Sequence, residues 1–314
     1  MNNLSLEGSR FFLLIALIGS VPIFSQGNKV LARQWYNRAF DAETIEDKIE
    51  YYNNAIKSDP TFYKTFNNLA LIYFEKRQFQ QAIELLNKAI DVRPDFSEAY
   101  NNLGVAYKQQ GQYDQAIAVL DNAVRIAPDY YIAHFNLGKV YLLKKFYNEA
   151  LEQFEIVQKI KPGIAEVILF IGDTYLAKSE YKEALKYYQK ITAHVPTHIQ
   201  ALIRIGNVYM KMENFEKATE NFEIALKVEP NNWESLNQYG ISLRKLKQFA
   251  ASISAFEKAI KIKEYQYAEG YYNLGLTYEQ IGEGSSALEN FKKAVQVDPN
   301  FTLASLKLNK KKGD

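Results

Sequence analysis

The sequence contains no cysteine. Disulfides, thiolate metal sites, cysteine nucleophiles and a lipid-bearing cysteine anchor are all excluded by that count. Proline and glycine are scarce, 8 and 15 of 314 residues, and there are 3 histidines. That composition disfavours a loop-rich design and leaves little from which to build a histidine metal centre. Neither sign of charge dominates: 38 basic against 36 acidic residues leave a formal net charge of +2. A surface that tracks phosphates shows a pronounced basic excess, so nucleic acid is not expected as a partner. Beyond residue 24 no apolar run approaches the roughly 20 residues of a membrane-spanning helix.

What is present is aromatic and helix-forming. Hydrophobic residues make up 47% of the chain, with 23 Tyr and 19 Phe, which suits long helices that pack through aromatic side chains. At the amino terminus, Arg10 precedes a 14-residue, mostly apolar run from Phe11 to Phe24, and the small residue Ser25 follows. This is the layout of a secretory signal, so residues 1–25 are read as an export segment cleaved near Ser25. An uncleaved membrane anchor and a buried first helix are the alternatives. The expected location is the periplasm or cell envelope.

The strongest feature is a period. Prolines fall at Pro60, Pro94, Pro128, Pro162, Pro196 and Pro230, five consecutive steps of 34. Pro299 comes one residue late for its place, which implies one insertion in KEYQYAEG. Ten residues after each marker stands a small residue: Ala70, Gly104, Gly138, Gly172, Gly206, Gly240 and, past the insertion, Gly275. Three further on is Tyr in six of seven copies, then Ala82 and its counterparts, then a large residue from Leu86 to Phe291. Leu103, Gly104 and Tyr107 share one helical stripe, as do Ala116, Leu120 and Ala123, with polar KQQGQYDQ between them. Each copy therefore reads as two helices joined by a tight turn.

The pattern resembles the tetratricopeptide repeat, a 34-residue helix–turn–helix unit with small, aromatic and proline positions in this order. The resemblance is strong over residues 63–299 and weak over 26–62, a degenerate first repeat; residues 300–314 read as a capping helix with a basic tail. It implies an all-α solenoid, a right-handed superhelix of about eight stacked antiparallel helix pairs, since no single pair buries its apolar face alone.

Catalytic or metal chemistry finds no support. His194 and His198 have the spacing of helical zinc ligands, but Pro196 between them keeps them off one helix face. His134 stands where the repeat wants a large packing residue. Gly282–Ala287, GEGSSA, spells a dinucleotide fingerprint without a preceding strand. Glu155 and Asp173 do not stand out from ordinary surface carboxylates, and the lysines at 310–312 read as a solvated tail. No stretch remains for a catalytic domain, so no enzyme activity, cofactor, metal or small-molecule substrate is expected.

The resemblance places partners in a concave groove lined by the first helix of each pair, through its positions 2, 5, 6, 9 and 12. Position 1 is Tyr63, Ser97 and their counterparts. Apolar side chains cluster there at Phe135, Leu169 and Ile203 (position 5) and at Leu142, Leu176 and Met210 (position 12). They read either as a strip that receives an apolar segment or as packing between helices. Asn68, Asn102, Asn136 and later Asn273 form a position-6 column that, in the family, binds the backbone of an extended peptide. Phe170, Arg204 and Gln238 interrupt it. A chaperone-tail carboxylate clamp is not expected. Arg33, Asn37, Asn68 and Asn102 match it in part, but Glu98 stands where a basic residue belongs. The reading is thus a non-enzymatic scaffold for protein or peptide partners, with membrane contact only through an uncleaved amino-terminal anchor. A regulatory, substrate-positioning subunit of a separate enzyme and a self-assembling homo-oligomer are the alternatives.

Overall fold

The computed structural model describes residues 23–310. The export segment read in residues 1–25 falls outside them except where α1 begins, as do Lys311 and Lys312. The chain forms two compact units that divide between Phe146 and Tyr147. The first holds α1 (Ile23–Asp41), α2 (Ile45–Ser58), α3 (Tyr63–Glu75), α4 (Phe79–Val92), α5 (Ser97–Gln109), α6 (Tyr113–Ile126) and α7 (Tyr131–Leu143). The second holds α8 (Tyr147–Ile160), α9 (Ala165–Ala177), α10 (Tyr181–His194), α11 (Ile199–Lys211), α12 (Phe215–Val228), α13 (Trp233–Lys245), α14 (Phe249–Ile262), α15 (Ala268–Gln280), α16 (Gly284–Val297) and α17 (Thr302–Lys310). No strand occurs among the described residues, and each unit is a stack of helix pairs: an all-α solenoid fold. Among the same residues no helix is long and apolar enough to cross a membrane.

The pairs are closed by a small residue against a large one. A Cβ added to Gly104 would lie 2.4 Å from Leu120 Cγ, and one on Gly206 would lie 2.6 Å from Phe222 Cε1. Gly172 meets Tyr188, Gly240 meets Phe256 and Gly275 meets Phe291 in the same way. The absent side chain is what lets the second helix lay an aromatic ring across the backbone of the first. Tyr188, Phe222, Phe256 and Phe291 are fully buried there. The α1–α2 pair inverts the order: Tyr36 occupies the small-residue position and Ala39 the aromatic one. Tyr36 then packs against Tyr52 and Phe62, with ring centroids at 5.6 and 4.9 Å. That swap is why residues 26–62 match the repeat pattern weakly.

From the α3–α4 pair onward the turn inside each pair repeats at position 15, where φ is positive at Arg77, Gly111, Lys145, Ser179, Glu213, Lys247 and Gly282. In each case two reverse bonds close the first helix; at Ser179 they are Ser179 N to Leu176 O and Glu180 N to Tyr175 O, both 2.9 Å. This is a Schellman end, whose left-handed residue is normally glycine. Here five of the seven are not glycine, so each carries a Cβ in a conformation that disfavours it. Ser179→Gly should therefore raise stability by about 0.5–1 kcal/mol, because strain relief exceeds the added unfolded-state entropy. Thermal unfolding checks it; an unchanged or lower midpoint contradicts it. The insertion in KEYQYAEG sits between α14 and α15, where Glu264 and Tyr265 both take positive φ.

Candidate functional site

Within each unit the first helices lie side by side: α3 touches α5 and α5 touches α7, while α11 touches α13 and α13 touches α15. Residues that the sequence assigns to a groove therefore meet their counterparts one repeat away.

In the first unit the asparagines form a continuous chain. Asn136 Nδ2 donates to Asn101 Oδ1 at 2.8 Å, and Asn101 Nδ2 to Asn102 Oδ1 at 3.2 Å. Asn102 Nδ2 donates to Asn67 Oδ1 at 2.9 Å, and Asn67 Nδ2 to Asn68 Oδ1 at 3.2 Å. Asn68 Nδ2 ends the chain on the hydroxyls of Tyr36 (2.8 Å) and Tyr52 (3.4 Å). Asn67, Asn68, Asn101 and Asn102 each donate one bond and accept another, which suits a side chain with both a donor and an acceptor. Asn67 and Asn101, at position 5, are buried, so this network satisfies polar groups that water cannot reach. The column thus fastens repeat to repeat. Asn102 and Asn136 each retain a second N–H at a half-buried position. In the second unit the pattern shortens to Asn273 Nδ2 to Asn237 Oδ1 and Asn237 Nδ2 to Glu269 Oε1, both 3.1 Å.

The apolar strip separates by position. Leu169 and Ile203 are each 8% exposed. Leu169 packs with Tyr188, Ile191, Ala201 and Ile205, and Ile203 with Leu202, Phe222 and Ala225. Position 5 is core there, just as Asn101 is core in the first unit. Leu142, Leu176 and Met210 at position 12 remain half-buried, and Phe135 is half-buried beneath Lys139 Nζ, 4.9 Å from its ring centroid. Phe135 and Leu142 belong to the first unit and the other four to the second.

One cluster escaped the sequence reading. Tyr188 Oη donates to Asp173 Oδ1 at 2.7 Å, and Arg204 Nε donates to the same oxygen at 2.8 Å. Burial, then the charge of Asp173, push the Tyr188 hydroxyl far above the ordinary tyrosine range, so it stays a proton donor. The cluster sits where Arg204 interrupts the asparagine column. The signal was available: this is the copy in which a tyrosine fills the ring position of a regular repeat, an acid stands at position 9 and a base at position 6 of the next copy.

Each histidine has a place of its own in the helix framework. His134 is buried with Nε2 3.1 Å from Pro128 O. His194 ends α10, and His198 caps α11 by accepting from Ala201 N at 3.3 Å. Gly282 occupies the turn between α15 and α16.

Models of the tetratricopeptide repeat match residues 67–130 and 106–165, 165–193 and 234–266, and 199–232 and 268–301. Among solved structures, the chain is similar to a tetratricopeptide repeat protein from Parabacteroides merdae ATCC 43184. The TM-score is 0.63 and the identity 18%, over 79% of this chain and 97% of that one. It is also similar to a chain of the APC/C hetero-tetramer Cut9–Hcn1, with a TM-score of 0.59 and 16% identity over 91% of this chain. It spans 58% of that chain's length. At such identities the likeness is one of fold alone. No curated protein matches the chain significantly.

Proposed function

The chain belongs to the tetratricopeptide repeat family, and from that premise we propose that it holds a peptide or helical segment of a protein partner against the row of first helices. Repeats of this family make protein–protein interaction scaffolds, generally without enzymatic activity, and their partners are typically proteins. The observation that carries the finer reading is the contrast within one helix face. The small and large stacking positions are buried in copy after copy, while Leu142, Leu176 and Met210 stay half-open at position 12. Half-open apolar side chains supply anchors, and in the first unit the spare amide N–H groups of Asn102 and Asn136 supply direction. We further propose that this happens outside the cytoplasm. The support is in the sequence: Arg10, the apolar run Phe11–Phe24, Ser25 and a chain free of cysteine.

A photoreactive residue placed at Leu176 or Met210 in living cells should crosslink a discrete protein. The same residue at Gln189 or Glu220, exposed on second helices, should not. Equal capture from both faces contradicts the reading. The exported chain should begin near Gln26; a mature protein that keeps residues 1–25 contradicts cleavage.

Self-association has one observation in its favour. Leu306 occupies position 5 of α17 and is 60% exposed, whereas residues at that position are buried in α3, α5, α9, α11 and α13. A mass by light scattering that rises with concentration, and stays at one chain in Leu306→Lys, supports that second reading; a constant mass of one chain rejects it.

A further inference from the structure

Arg244 stands at position 12 of α13, and its Nε is buried without a hydrogen-bond partner. The acidic groups on the adjacent first helix are already engaged: Glu269 Oε1 accepts from Asn237, and Glu279 pairs with Lys307 at 2.5 Å. Burial draws the guanidinium below its usual pKa, and Tyr272 is the neighbour that acts in the opposite direction. A cation taken partly out of water without a counter-ion raises the energy of the unbound protein, and an incoming anion recovers that energy. Lys108 on α5 is half-buried, and burial and the like charge of Lys139 lower its pKa, with no carboxylate among the groups acting on it. In α3, α7, α9 and α11 position 12 is Phe74, Leu142, Leu176 or Met210. Position 12 therefore carries apolar side chains in four first helices, a cation in α5 and α13, and in α15 Glu279, which is already paired with Lys307.

We propose that Arg244 is a receptor for the side-chain carboxylate of an aspartate or glutamate in the partner segment. The inference deepens the scaffold reading and rests on it for the face involved. A guanidinium is planar and offers paired N–H groups, which match a carboxylate better than a neutral amide. The partner expected on the second unit is thus an amphipathic acidic segment: apolar side chains for Leu176 and Met210, a carboxylate for Arg244.

The test uses N-acetyl-glutamate methylamide as the carboxylate probe and N-acetyl-glutamine methylamide as its neutral twin, with the full chain labelled for arginine Nε–H detection by NMR. The Arg244 signal should shift and saturate with the glutamate probe at a dissociation constant on the order of millimolar, and should stay unmoved with the glutamine probe. Arg244→Met should keep or raise the melting temperature, because it removes a charge that has no partner. Absence of a saturable shift, an equal shift with both probes, or a melting temperature several degrees lower in Arg244→Met would each overturn the carboxylate receptor. None of these outcomes touches crosslinking from Leu176, which judges the scaffold reading separately.

Discussion

Phe222→Ala should destabilise the chain by about 3–5 kcal/mol, the usual cost of emptying a fully buried aromatic site. Phe222 has no exposed surface and lies across Gly206, packed with Leu202, Ile203, Ala218 and Ala225. The converse error should cost less: Gly206→Ala puts a Cβ within 2.6 Å of the ring and should cost about 1–3 kcal/mol. The informative variant combines Gly206→Ala with Phe222→Leu. The chain already contains that combination at the same register as Ala70 with Leu86, both buried in one cluster. The double variant should therefore lose less than the sum of the two single variants, by about 1 kcal/mol or more. Denaturant unfolding of the four proteins measures it. Strict additivity would mean that the small and large positions are not a matched pair.

The second large effect is expected at Asp173. Asp173→Ala removes two charge-assisted hydrogen bonds and leaves the Tyr188 hydroxyl inside the pair without an acceptor, a loss of about 2–3 kcal/mol. The orphaned hydroxyl carries much of that loss, since Arg204 keeps 26% side-chain exposure and can turn to water. In a Tyr188→Phe background, Asp173→Ala should accordingly cost about 1 kcal/mol less. An unchanged cost in that background would show that Tyr188 does not depend on Asp173.

The stacking residues were legible because they obey a period: Gly104 against Leu120 and Gly206 against Phe222 follow from sequence spacing before any contact is known. The tight turn was legible as a turn, but its left-handed residue was not. Glycine marks it at Gly111 and Gly282, while Arg77, Lys145, Ser179, Glu213 and Lys247 fill the same place without a signature. The first repeat was blurred by the exchange of Tyr36 and Ala39.

The candidate site was legible only in outline. The resemblance assigns position 5 to the groove, yet the second helix of the same pair, and for Leu169 also α11, covers it, which is why Leu169 and Ile203 are core. Leu169→Lys would therefore test folding more than binding, and Leu176 and Met210 are the sites to substitute. The asparagine column was visible as a row of donors and acceptors. Its partners were not, because Asn67 and Asn101 supply the acceptors from one repeat away. Where Arg204 replaces an asparagine, Asp173 supplies its acceptor and the fastening between repeats becomes ionic.

The central claim is that the half-open side chains on the first helices hold a protein partner. Its most direct test is the affinity of the protein crosslinked from Leu176, measured by calorimetry against the wild-type chain, Leu176→Asp with Met210→Asp, and Gln189→Asp. The account predicts binding at least about tenfold weaker in the double variant, corresponding to about 1.4 kcal/mol or more. It also predicts unchanged affinity in Gln189→Asp, with the helical circular dichroism of all three proteins alike. Undiminished binding by a folded double variant would contradict it.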